Sequence, residues 1–212
     1  MIEQSVREPG RSNRSSYTSD KERRQQVIAA TWRVISQKGI SAASLRTIAA
    51  EMDATTGLVT RYFPEKEGLL LAALEKSVGF LNQEIATSTI NLTGKARLEA
   101  AVLAALPVTP ERLQAWKIWV AFMAELPGAP DLARVHAEFP GGLRQMLVKS
   151  IREAQLASEV AKEIYPPQQA DMLVIQIIGL GVLAVNEPGR YPAEKLPSLI
   201  APLYNGMIVR PG

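Results

Sequence analysis

Between Ser44 and Lys66 the chain reads SLRTIAAEMDATTGLVTRYFPEK, and its periodicity predicts two short helices joined by a tight turn, with another helix starting at once. Ser44 is a hydroxyl N-cap, and Leu45, Ile48, Ala49 and Met52 recur at i, i+3, i+4 and i+7, which gives the first helix one buried face. Asp53 and Ala54 form the turn and Thr55 caps the second helix. Val59 and Phe63, four residues apart, point inward and leave Thr56, Leu58, Thr60, Arg61 and Tyr62 outside or at the rim. Upstream, Val27, Ala30, Thr31, Val34 and Ile35 make one stripe of a preceding helix that starts with Asp20 as its cap and ends at Gly39.

A helix of about two turns fits the major groove of a DNA duplex. There, hydroxyls and a guanidinium bond base edges or phosphates, and Leu58 meets a thymine methyl. Gly57 lets the backbone approach a neighbour closely, Lys66 adds a cation beside the unpaired N–H groups of the next helix, and Arg46 reaches the other flank. The candidate DNA contacts are therefore Ser44, Arg46, Thr55, Thr56, Gly57, Leu58, Thr60, Arg61, Tyr62 and Lys66. As a bare pattern, however, helix pairs with short turns also occur throughout all-α proteins, and Arg46 and Lys66 alone are ordinary surface cations.

Charge points the same way. Residues 1–66 carry 11 Lys/Arg against 7 Asp/Glu, whereas residues 67–212 carry 13 against 14. The excess positive charge therefore lies beside the helix pair, as a polyanion partner or a solvated basic face would require. Residues 1–19 lack periodicity and read as a disordered basic arm; Arg7, Arg11 and Arg14 either trail along phosphates or belong to an untidy terminus.

The order and spacing of Ser44, Ile48, Ala49, Thr55, Gly57, Val59, Tyr62, Phe63, Lys66, Glu67, Leu69 and Leu70 resemble the DNA-binding domain of the tetracycline-repressor (TetR) family. Two departures stand out. Met52, Asp53 and Ala54 replace the family's usual Ala-Gly-Val turn, and Thr60 replaces a commonly aromatic residue, which is similar to the subset of choline-responsive regulators. The resemblance covers residues 20–75 and implies an all-α homodimer. Its parts are a three-helix helix-turn-helix head at 20–66 and a larger ligand-binding and dimerisation domain at 67–212, with about nine helices in all. It further implies a repressor that a small-molecule effector releases from a near-palindromic operator; from the residues themselves, no cofactor and no metal are expected.

Beyond the resemblance, a connector helix runs from Glu65 to about Ser88, buries Leu69, Leu70, Ala73 and Leu74, and is able to transmit a shift to the second helix of the pair. Another helix extends to Leu126 and brings Trp116, Trp119, Phe122 and Met123 onto overlapping faces. With Phe139 these are the candidate wall of an effector cavity, although ordinary core packing would look the same. A tryptophan pair suits a quaternary ammonium through cation–π attraction, with Glu125 as counter-charge. The stripe from Leu132 to Ile151 is interrupted at Pro140, Gly141 and Gly142, which predicts a break or kink.

Met172 to Val185 is the most hydrophobic run, yet shorter than the roughly 20 residues a bilayer span needs. A helix apolar on every side must be covered on every side, so a second copy of the chain is the natural cover. Ile175, Ile178, Gly179, Val182, Leu199 and Leu203 are the candidate interface, and a monomeric core helix is the plain alternative.

Without cysteine, with one histidine, and without a phosphate loop or dinucleotide turn, the sequence offers no catalytic or metal constellation. No apolar run at the N-terminus resembles an export signal, so a cytoplasmic location is expected. A helical adaptor that binds only proteins remains as the alternative function; it explains the apolar C-terminal helices but not Thr55 through Lys66.

Overall fold

A computed structural model describes residues 12–207, with side chains from residue 20 onward. Nine α-helices and no β-strand are found among the described residues: α1 (Ser12–Lys38), α2 (Leu45–Glu51), α3 (Thr56–Tyr62), α4 (Lys66–Thr89), α5 (Gly94–Ala105), α6 (Pro110–Ala121), α7 (Pro130–Leu156), α8 (Pro166–Asn186) and α9 (Leu196–Asn205). The chain divides into two compact units between Leu70 and Leu71, a few residues inside α4.

In the first unit α1 packs on α2, and α2 on α3. Val27, Ala30, Thr31 and Val34 are completely buried, with Ile48 and Val59 beside them and Phe63 nearly so. Arg33 on α1 pairs with Glu51 on α2 at 2.8 Å, and the Arg24 guanidinium lies 4.8 Å above the Phe63 ring. The start of α1 differs from the sequence expectation. The helix begins at Ser12, so Asp20 lies within it and caps nothing. From Ser12 to Asp20 there is neither Gly nor Pro, and extending an existing helix adds one backbone bond per residue fixed. Arg14 is on this stretch; Arg7 and Arg11, and the arm role expected for them, lie outside the described residues.

The second unit is built on α7, which packs against α5 and α8, with α6 and α9 also against α8. Its stripe is the expected one, with Val135, Phe139, Leu143, Leu147 and Ile151 buried. Of the expected break or kink, the break is absent: α7 runs without interruption through Pro140, Gly141 and Gly142. Proline removes one N–H and so frees the carbonyl four residues earlier, that of His136. The indole Nε1–H of Trp119 on α6 donates to that oxygen at 3.2 Å, which offsets the lost helical bond. In turn α6 ends at Ala121, short of the expected Leu126, and gives way to a 3₁₀ turn over Phe122–Glu125.

Salt bridges reinforce the inter-helix seams: Arg97 to Glu153 at 2.9 Å between α5 and α7, and Arg112 to Glu84 at 2.7 Å between α6 and α4. Helix α8 is 21 residues long, so the sequence argument from length does not hold: by length and composition it could cross a membrane. It nevertheless carries Gln168, Gln169, Asp171 and Gln176, and Asp171 is ion-paired to Arg144 on α7.

Candidate nucleic-acid interface and aromatic core

Local capping builds the helix pair. The Ser44 hydroxyl accepts the Thr47 N–H at 3.0 Å, and the Thr55 hydroxyl accepts the Leu58 N–H at 3.3 Å. Each satisfies an orphan donor at a helix start, so the hydroxyls of Ser44 and Thr55 first serve the fold. Between the helices Asp53 has φ +50°, the left-handed region that glycine occupies without strain and aspartate tolerates.

Helix α3 turns Val59 inward and leaves Thr56, Gly57 and Arg61 exposed, with Leu58, Thr60 and Tyr62 half-buried at the rim. Arg46 is exposed on the first turn of α2, and Lys66 is half-buried at the start of α4. The Thr60 hydroxyl donates to the Gly57 carbonyl at 3.2 Å, so only its lone pairs face outward. Arg61 and Tyr62 have a partner that the sequence pattern did not suggest. The Asp20 carboxylate accepts the Arg61 Nη2–H at 3.2 Å and the Tyr62 hydroxyl at 2.9 Å. That hydrogen bond, followed by desolvation and the carboxylate charge, holds the Tyr62 phenol above its usual range.

In the second unit Trp116, Trp119, Phe122 and Phe139 are all buried, and three of the rings meet edge to face. Trp116 lies 5.4 Å from both Trp119 and Phe139, and Trp119 lies 5.7 Å from Phe139, centroid to centroid. These distances are direct ring contact, with no space for a molecule between Trp119 and Phe139. Met123 does not join them: the 3₁₀ turn carries it outward, 43% exposed, and Glu125 is exposed as well.

His136 stacks on Trp119 at 3.9 Å, and its Nε2 lies 3.2 Å from the Trp119 carbonyl. A carbonyl only accepts, so Nε2 carries the proton. Trp119 and His136 are therefore joined twice, indole N–H to carbonyl and imidazole N–H to carbonyl. Burial pushes the imidazole below its usual range, opposed by the bond to Trp119. A signal for this latch was present in the sequence: a proline four residues after His136 leaves an acceptor that a buried indole needs.

The candidate interface residues divide by burial. Ile175 is 67% exposed and Leu199 40%, Gly179 is exposed, and Ile178, Val182 and Leu203 are half-buried. Gly181, two residues from Gly179, faces the other way: a side chain there would start 2.2 Å from the Trp116 ring, whereas none at Gly179 would meet an atom within 4 Å.

Comparison with known proteins adds to this geometry. Residues 27–73 match the pattern of a family described as bacterial regulatory proteins, tetR family, and residues 94–204 match one described as BetI-type transcriptional repressor, C-terminal. The transcriptional regulator PksA of Bacillus subtilis is 28% identical over 185 residues, 84% of this chain and 86% of the relative. The regulator BetI of Pectobacterium atrosepticum is 34% identical over 116 residues, 53% of this chain and 60% of the relative, so the match spans about three-fifths of that protein. Among solved structures, a protein from Saccharomonospora viridis in complex with choline superposes with a TM-score of 0.82 at 20% identity, covering 90% of this chain and all of the other.

Proposed function

The chain belongs to the TetR family of bacterial transcriptional regulators, with a C-terminal region of the BetI type, and from that premise we propose that it acts as a homodimeric, ligand-released repressor. Two copies of α3 enter successive major grooves of a near-palindromic operator, roughly 34 Å apart. The protein works in the cytoplasm and is no enzyme. The observation that carries the reading is the outward row on α3 and its flanks, with Arg46, Thr56, Arg61 and Lys66 at the surface while Val59 and Phe63 hold the helix from beneath.

A second copy covers the apolar face of α8 and α9 at Ile175, Gly179 and Leu199, whose exposure would otherwise leave a large apolar patch in water. The effector enters the aromatic core. Trp119 and Phe139 touch edge to face while Trp116 is held by the Ala105 carbonyl, so an effector enters by moving Phe139 off Trp119, and the indole face so exposed attracts a cation such as choline, which the Saccharomonospora viridis protein holds. Coupling of about 1 to 3 kcal/mol between effector and DNA sites is sufficient for a switch.

The test is binding to duplex DNA across a salt series. Affinity should fall steeply as salt rises, and Arg61→Ala and Lys66→Ala should each weaken it while the dimer persists in sedimentation. Unchanged affinity in both variants removes the site, and failure to bind any duplex leaves the protein adaptor as the reading. Choline added to the complex should release the DNA; if it does not, the cation reading of the core fails.

A further inference from the structure

The last turn of α3 offers two donors of the kind that hold a phosphate, and one carboxylate already engages both. Arg61 Nη2 donates to Oδ1 and Oδ2 of Asp20 at 3.2 and 3.4 Å, and the Tyr62 hydroxyl donates to the same Oδ1 at 2.9 Å. Asp20 reaches them from α1, 41 residues earlier than Arg61 in the sequence. Because α1 continues through residue 20, this carboxylate caps no helix end. It is exposed, as is Arg61, so the pair is open to solvent and to whatever approaches α3.

A carboxylate and a phosphodiester present the same chemistry to these donors, two oxygens sharing a negative charge. We infer that Asp20 stands in for a DNA phosphate in the free protein: it holds Arg61 and Tyr62 in a paired geometry, yields the guanidinium when a duplex arrives, and thereby limits affinity. The inference rests on α3 being the helix that faces DNA. An exposed pair of this kind is weak and screened by salt, so a phosphate can displace the carboxylate readily. The cost is that of breaking the pair, since each bound duplex must first displace the carboxylate from Arg61. Aspartate at this position therefore keeps the head from binding every duplex tightly, and leaves more of the affinity to base contacts along Thr56 to Thr60.

The full chain carrying Asp20→Asn keeps an oxygen acceptor for Tyr62 and loses the charge. It is compared with wild type and with Glu22→Gln, an exposed acid two residues along the same helix. The probe is a mixed-sequence duplex of about 30 base pairs, long enough for two half-sites, followed by fluorescence anisotropy at salt concentrations around 0.1 M. Asp20→Asn should bind about three- to fivefold more tightly, the strength of one exposed ion pair, with the slope of log affinity against log salt unchanged, because Arg61 meets a phosphate in both proteins. Glu22→Gln should change affinity by less than about twofold, and in an Arg61→Ala background the gain from Asp20→Asn should vanish.

A gain that is absent, that Glu22→Gln equals, or that survives Arg61→Ala overturns the inference. Wild-type protein that binds no duplex at low salt overturns instead the DNA-binding reading beneath it. Thermal melting checks that each variant is folded, and Asp20→Ser makes the same charge change if the asparagine variant melts early.

Discussion

Gly179 and Gly181 lie two residues apart on α8, and the same substitution at each should have opposite effects. A Cβ at position 181 would lie 2.2, 2.3 and 2.6 Å from three atoms of the Trp116 ring. That ring cannot retreat: its indole N–H is bound to the Ala105 carbonyl at 3.0 Å, and Trp119 and Phe139 close on it edge to face at 5.4 Å. Overpacking against a locked ring costs about 3 kcal/mol, of which better helix propensity returns about 1 kcal/mol. Gly181→Ala should therefore lose about 2 kcal/mol, a fall of about 4 to 8 °C in Tm for a chain of this size.

Gly179→Ala has no atom within 4 Å to meet. In a single chain it gains up to about 1 kcal/mol; in a dimer sealed at this face, the new methyl group enters the interface and raises the dimer dissociation constant about tenfold, or about 1.4 kcal/mol. Circular dichroism melting of both variants, with analytical ultracentrifugation of the second, separates these effects. A Gly181→Ala protein that melts within about 1 °C of wild type would refute the packing argument. If Gly179→Ala leaves association unchanged, the proposed dimer face is wrong.

Further outcomes follow from single residues. Asp53→Asn keeps a residue that tolerates φ +50° and removes a negative charge from the turn beside α3; affinity for DNA should rise about twofold or more with Tm unchanged, whereas Asp53→Val should cost about 1 to 2 kcal/mol by strain, read by urea denaturation. Ile175→Glu, at a position 67% exposed, should leave the monomer folded but abolish the dimer in sedimentation, with loss of operator binding. Burial depresses the His136 pKa in the folded chain. The unfolded chain therefore binds the proton more readily, so stability is undiminished above pH about 7 and declines as pH falls below about 6.5 toward the depressed value. His136→Gln should flatten that acid limb in pH-dependent melts; an unchanged limb would place its origin elsewhere.

The head was legible because its determinants are local. Hydroxyl caps at Ser44 and Thr55 and apolar spacing through Leu45, Ile48, Val59 and Phe63 are read along a single helix, and in the structure both hydroxyls cap and Ile48, Val59 and Phe63 are buried, with Leu45 half-buried. The buried faces of α1 and α7 were legible for the same reason, since a helix repeats its facing every 3.6 residues whatever it packs against. The sequence thus determined by itself the fold class, the order of the helices, and which side of α3 faces outward.

Tertiary structure decided what depends on partners far apart in the chain. Pro140 breaks an isolated helix, yet α7 is continuous because the Trp119 indole on another helix takes the orphaned His136 carbonyl. Asp20 reads as a cap from its neighbours alone, and becomes the partner of Arg61 and Tyr62 only when α1 and α3 are folded together. Closure of the aromatic rings, the outward swing of Met123 and the opposite environments of Gly179 and Gly181 are of the same kind. Hydrogen bonds and close packing act over a few ångströms between groups that the chain order separates by tens of residues, and periodicity carries no record of which groups will meet.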